Sequence, residues 1–244
     1  MSRNPCIVSI FRSNVDPATV GLQKSVVEKF NVNKYRHYQF QLELPHGVAI
    51  DYFWATNGCL NEKFKAAIGE NEVPHSFDHD AVLILDIDAI PVSERAIDKF
   101  FEAAYAGKLI GNAQRSNHLD NGQHLFAASS CACLSKETYQ KIGMPSAYEN
   151  PPRSDVLEDY TWAAEEHGVP VELLLPRHYV EPPVRFEWEG DQPPHWALKD
   201  GMPVYGVGTT FGDDEGDLFY HQFQICHADH QKKFQQKCES ILSE

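Results

Sequence analysis

Two aspartates, Asp86 and Asp88, follow directly on an unbroken apolar run, Ala-Val-Leu-Ile-Leu, at residues 81–85. Side chains two apart on an extended chain face the same way, so both carboxylates can converge on one cation. Hard divalent ions such as Mg²⁺ are typically held by one or two carboxylates plus substrate phosphates. The pair therefore predicts a metal–phosphate site. A second acidic set, Asp155-Val-Leu-Glu158-Asp159, precedes a helical stretch. Asp155 and Glu158 have the spacing of an N-cap acceptor and the acid three residues on, so capping is the role expected of both. Asp159 has no such local duty and sits in a first turn, where the helix dipole favours an ionised carboxylate.

Those residues need a scaffold, and the pattern around them supplies one. A run as apolar as 81–85, bounded by polar residues, suits a strand buried on both faces of a parallel sheet. Its aspartates would then emerge at the carboxyl edge, where open α/β sheets bind ligands. Residues 6–11 read as an earlier strand, about 17–30 as a helix, and 38–44 as a strand with alternating apolar residues. Pro45-His46-Gly47 turns the chain into a long helical stretch carrying Phe53, Leu60, Phe64 and Ile68. After the Asp86 strand, Ser93 is expected to cap a helix that Gly107 ends. A short strand is expected at 109–112 and a longer one at 125–134, and Ser135 caps a further short helix stopped at Gly143. A helix over about 155–167 and a strand at 171–175 follow. Residues 181–217 are irregular, rich in Pro, Gly, Trp and acid. The aromatic residues there (Phe186, Trp188, Trp196, Tyr205, Phe211) favour an ordered loop that covers a ligand. A last strand at 218–226 and a helix at 229–242 complete the pattern. Strand–helix alternation of this kind predicts an α/β fold, Rossmann-like, with a mixed but mostly parallel sheet flanked by helices, as a single domain over 1–244.

Composition narrows the function. The chain has 244 residues and a formal charge of −14, which argues against a surface tracking a nucleic-acid polymer, where Lys and Arg must cluster. It leaves open a single nucleotide, whose phosphates an ion can neutralise locally. The first apolar stretch is too short for a signal peptide and no run is long enough to span a membrane, so a cytoplasmic location is expected. Six scattered cysteines are then expected to be reduced thiols. Cys131-Ala-Cys133 reads as small core residues, and Cys226-His227 with His230 lacks the second ligand pair of a zinc site.

Taken in order, these motifs resemble the GT-A-fold, metal-dependent glycosyltransferases that use nucleotide-sugar donors, most of all short viral and bacterial members. The matching residues are the strand with Asp86-Ile87-Asp88, the strand–helix–strand half beginning at Cys6, Leu157-Glu158-Asp159 at a helix start, and His221 in Leu-Phe-Tyr-His-Gln-Phe. The resemblance implies a nucleotide-binding half over about 1–112 and an acceptor half over about 113–244. It implies that Asp88 ligates Mn²⁺ or Mg²⁺, that Asp86 binds the ion or the donor ribose, and that His221 completes the metal shell. An imidazole ligand suits Mn²⁺ better than Mg²⁺. His221 could equally be a core histidine among Phe219, Tyr220 and Phe223, and His227 is a rival ligand. Asp159 is implied as the base that deprotonates the acceptor if the reaction inverts the anomeric centre. The donor, UDP- or GDP-linked, would lie over the first strand and the turn after the second, near Arg12, His46, Gly47 and Asp51. His46-Gly47 also fits an ordinary turn with free N–H groups at a helix start. The acceptor is expected to be a glycan or another hydroxyl compound.

Two other functions fit some of the residues. Leu-Asp86-Ile-Asp88 also resembles the nucleophile motif of haloacid-dehalogenase-type phosphohydrolases, with Asp86 attacking phosphorus and the acidic stretch from Asp213 to Asp217 as the distal motif. A non-catalytic, metal-dependent nucleotide- or sugar-binding module would keep Asp86 and Asp88 and have no need of Asp159.

Overall fold

The computed structural model describes residues 3–13, 15–42, 79–116, 119, 124–181, 207–223, 225 and 228–244. The first unit is strand β1 (Pro5–Arg12), helix α1 (Pro17–Phe30) and strand β2 (Arg36–Leu42). Helix α1 starts where its sequence dictates: Asp16 accepts from the N–H of Ala18 at 2.9 Å, and Pro17 has no N–H to leave orphaned. The apolar run forms β3 (Ala81–Leu85), every residue of it buried. Only three residues later comes a strand the periodicity did not reveal, β4 (Ala89–Pro91).

Helix α2 (Ala96–Tyr105) follows. Ser93 is not its cap: the Ser93 carbonyl accepts from Ala96 N–H in a turn, while its hydroxyl has no hydrogen-bond partner. Gly107, at φ 77°, does end the helix. Strands β5 (Leu109–Gln114) and β6 (Phe126–Ser135) lead to α3 (Lys136–Lys141), which Ser135 caps by accepting from Thr138 N–H at 3.1 Å. Helix α4 (Glu158–Glu166) starts later than the capping pattern suggested. Glu158 does accept from Asp155 N–H at 2.7 Å, but the Asp155 carboxylate turns back to Val156 N–H, so Asp155 is no N-cap. Strands β7 (Val171–Glu181), β8 (Val207–Asp213) and β9 (Gly216–His221) and helix α5 (Ala228–Ser243) complete the chain. Thus β8 occupies the end of the stretch expected to be irregular, and β9 stops at His221, short of Cys226.

The nine strands form one sheet in the order β2-β1-β3-β6-β5-β7-β8-β9-β4. It is mixed but not mostly parallel. β2–β1, β1–β3 and β5–β7 are parallel, whereas β3–β6, β6–β5, β7–β8, β8–β9 and β9–β4 are antiparallel. Burial on both faces makes a strand continuously apolar whichever way its neighbours run, which is why the pattern misled. The last strand in the order, β4, begins three residues after β3, near the middle, so the sheet must curl to bring β9 and β4 back to the end of β3. Ile97, Phe100 and Phe101 of α2 pack with Leu83, Leu85 and Phe219 inside the curl. On the other face, Tyr139 and Tyr160 pack with Val82, Ile84 and Leu134. Phe234, Cys238 and Ile241 of α5 close on Val26, Ile90 and Tyr220.

Candidate functional site

The curl explains how residues 135 apart in sequence become neighbours. Asp86 leaves β3 with its N–H donating to Ser130 O of β6 at 3.1 Å, and its own carbonyl accepts from Ala89 N–H at 3.0 Å, closing a tight turn over Ile87 and Asp88. Strand β4 then pairs with β9 so that Ala89 stands opposite His221. Gln222 N–H donates to Asp88 O at 2.9 Å, locking the far strand to the turn. His221 Nε2 lies 3.4 Å from Asp88 Oδ1, both side chains nearly buried. One potential ligand atom each from Asp86, Asp88 and His221 lies within 4.8 Å of the others.

The electrostatics of this trio fit a divalent cation. Burial and the charge of Asp88 push the Asp86 carboxyl up to about 6, against the pull of His221, Arg12 and the Ser129 hydroxyl. Burial alone would discharge the His221 imidazole, but the Asp88 and Asp86 carboxylates outweigh it and raise its pKa. Two carboxylates crowded together, Asp88 buried and Asp86 partly so, are short of positive charge. Their oxygens with one imidazole nitrogen are a donor set that Mn²⁺ accepts readily and Mg²⁺ less so.

The other expected site residues fall in three groups. Arg12, at the end of β1, is within electrostatic reach of Asp86. Asp159 is outside the trio, on the first turn of α4, with Oδ1 3.5 Å from Arg153 Nε and without a hydrogen-bond partner. That turn meets β6 where Thr161 Oγ1 accepts from Ala127 N–H at 3.1 Å. Ala127 is three residues, roughly 10 Å, along β6 from Ser130, so Asp159 stands at the same end of the sheet as Asp86. His46, Gly47, Asp51 and the rival ligand His227 lie outside the described residues, as do 182–206 of the expected covering loop.

Glu158 does more than cap. It is fully buried and lies 2.6 Å from Nδ1 of His124, whose ring stacks on Trp162 with centroids 3.6 Å apart. His124 is 34 positions away, so no local pattern could have disclosed the pairing. Asp213 goes the other way. It is at the turn of the β8–β9 hairpin, opposite Gly216, while His221 is five residues on from Gly216, roughly 16 Å along the strand. Hydrogen bonds from Arg95 (2.5 Å), with help from Lys99 (3.1 Å), hold Asp213 well below the usual carboxylate range despite partial burial. The acidic stretch from Asp213 to Asp217 therefore does not supply a distal motif for Asp86, and among the described residues the phosphohydrolase arrangement is not formed.

No protein-family model matches the sequence, and no curated protein matches it. Solved structures do resemble it. One is a Drosophila β1,4-galactosyltransferase 7 mutant in complex with manganese, UDP-Gal and xylobiose, at 12% identity and a TM-score of 0.43, covering 94% of this chain and 79% of that one. Another is a glycosyltransferase involved in the glycosylation of the major capsid of PBCV-1, at 12% identity and a TM-score of 0.46, covering 97% of this chain and 100% of that one. Both neighbours are glycosyltransferases. At such identities and scores, the chemistry of this chain has to be read from its own residues. Among the described residues no helix is long and apolar enough to cross a membrane.

Proposed function

We propose that the protein is a metal-dependent glycosyltransferase, moving a sugar from a nucleoside-diphosphate donor to a hydroxyl acceptor. The observation that carries this reading is the convergence of Asp86, Asp88 and His221 at the edge of a curled sheet. These three would hold Mn²⁺ or Mg²⁺. When bound, the ion would supply Lewis-acid neutralisation of the diphosphate leaving group. Arg12, which already feels the charge of Asp86, adds a fixed cation where phosphates would lie. The tight turn at 86–88, bonded to Ser130 and Gln222, keeps the acids in place without rearrangement, so their order is present before substrate arrives.

Asp159 is the group proposed to take the acceptor's proton. In an inverting transfer the acceptor oxygen forms its bond to the anomeric carbon as the carbon–oxygen bond to phosphate breaks. The acceptor proton goes to the Asp159 carboxylate, and the electron pair leaves with the diphosphate. An Oδ1 without a hydrogen-bond partner has the lone pairs for that role. His46, Gly47 and Asp51 belong to the same proposal as contacts to the donor nucleotide, in a nucleotide half over about 1–112 facing an acceptor half over about 113–244. The donor is UDP- or GDP-linked and the acceptor a glycan or similar hydroxyl compound.

The test is a thermal-shift screen of UDP, GDP and their sugar conjugates with and without Mn²⁺, followed by product analysis with the conjugate that binds. A ligand that binds the folded form raises the melting temperature, by RT ln(1 + [L]/Kd) in free energy. The expected result is a shift that needs both nucleotide and Mn²⁺, then release of nucleoside diphosphate. Asp159→Asn should keep the shift and lose turnover. Binding with identical donor turnover in wild type and Asp159→Asn would remove Asp159 from catalysis; binding with no turnover at all would leave a binding module.

A further inference from the structure

Two residues beyond His221 the backbone adopts a conformation its residue type resists. Phe223 has φ 61°, a left-handed conformation that costs a bulky residue on the order of 1 kcal/mol. Its surroundings enforce it. Gln222 N–H donates to Asp88 O just before it, and the Phe223 carbonyl is 3.0 Å from Nδ1 of His230 on α5. The Phe223 ring packs on the apolar group formed by Ala113, Leu125 and Leu173. Glycine or asparagine would make this turn with less strain, so the turn alone does not account for an aromatic residue.

What phenylalanine adds is a ring beside the metal ligands. Its centroid lies 6.1 Å from that of His221, at 67° between planes, and the residue keeps some solvent access. A polar side chain borders the same trio: the Ser129 hydroxyl bonds to Asp86. An aromatic ring near carboxylates and a hydroxyl matches a pyranose ring, which presents C–H bonds on one side and hydroxyls around its rim.

We propose that Phe223 is a specificity-determining wall for the transferred group, packing on the C–H face of the sugar that the diphosphate carries. This rests on the glycosyltransferase reading and adds a contact and a substrate chemistry to it.

The experiment is calorimetry in Mn²⁺ on wild type, Phe223→Leu and Phe223→Tyr, comparing UDP and GDP with UDP-galactose, UDP-glucose and GDP-mannose. Phe223→Leu keeps apolar bulk and loses the ring; Phe223→Tyr keeps the ring. For the nucleotide that binds, Phe223→Leu should leave affinity for the bare diphosphate within about twofold, weaken the conjugate about tenfold, and be rescued by Phe223→Tyr. If Phe223→Leu weakens diphosphate and conjugate equally, Phe223 only supports His221, and the inference is overturned. It is overturned too if neither affinity changes. A wild type that binds neither UDP nor GDP with Mn²⁺ overturns the parent reading, and this one with it.

Discussion

At Asp86 the fold holds a carboxylate that burial and Asp88 push up to about 6, so at neutral pH it is ionised against resistance. A residue kept under such conditions destabilises the metal-free protein and is worth most when a cation is bound. Asp86→Asn should therefore raise metal-free stability at pH 7, by an amount on the order of 1 kcal/mol, while removing the Mn²⁺-dependent rise in melting temperature. Asp88→Asn should also remove that rise, but with a different stability effect, because Asp88 pairs with His221 at 3.4 Å. Taking it away removes the larger of the two charges that hold the buried imidazole's pKa up. Chemical denaturation of the two variants with and without Mn²⁺ separates the effects. A destabilised Asp86→Asn that still responds to Mn²⁺ would contradict the assignment of this residue.

Among the elements, β5 and β6 carry the tightest backbone approach near the site. A Cβ at Gly111 would lie 2.7 Å from Ala127 Cβ and 2.9 Å from Cys131 O. The second neighbour is backbone and cannot step aside, so Gly111→Ala should cost about 1–3 kcal/mol, read as a lower denaturant midpoint at unchanged slope. A midpoint within error of wild type would show that the β5–β6 ladder, already irregular between Gly111 and Ala113, absorbs the methyl. The same elements mark how far the sequence could be read. β1, α1, β3, β6 and the Ser135 cap follow from local pattern, since burial and capping leave their signs within a few residues. β4 was invisible because three residues containing a proline carry no periodicity, although it is the strand that seats His221 opposite Ala89. The direction of β6 was equally hidden, because its apolar run reads alike in parallel and antiparallel neighbours. Ser93 and Asp155 were misread as caps because each lies in a turn ahead of its helix, and a turn uses the same residue types. Asp86 and Asp88 could be picked out from their own strand. Nothing near His221 distinguished it from a core histidine, since its partners are supplied by a curl of the whole sheet.

Across the molecule, groups with shifted titrations pull stability in opposite directions. Arg95 holds Asp213 below its ordinary range, so the folded protein gains stability from it above that range and loses it in acid. Asp86 and His221 are both raised. Between ordinary carboxylate titration and about pH 6, folded Asp86 keeps a proton that the unfolded chain has released, so stability falls as pH rises through that window. His221 acts with the same sign at higher pH: its contribution is complete below the ordinary histidine range and disappears as pH climbs through its raised value. Asp86 therefore takes stability from the metal-free protein as pH rises from roughly 4 to 6, while His37, whose imidazole burial pushes down to about 4, returns stability over the same window. Mn²⁺ held by Asp86, Asp88 and His221 would compete with their protons, so its affinity should rise with pH and it would take over the charge balance where the protons leave. Melting curves at about pH 4, 5.5 and 7.5 should show a Mn²⁺ shift of several degrees at the highest pH and little at the two lower ones. A Mn²⁺ shift equal at all three values, or largest in acid, would mean that the ion binds somewhere other than Asp86, Asp88 and His221.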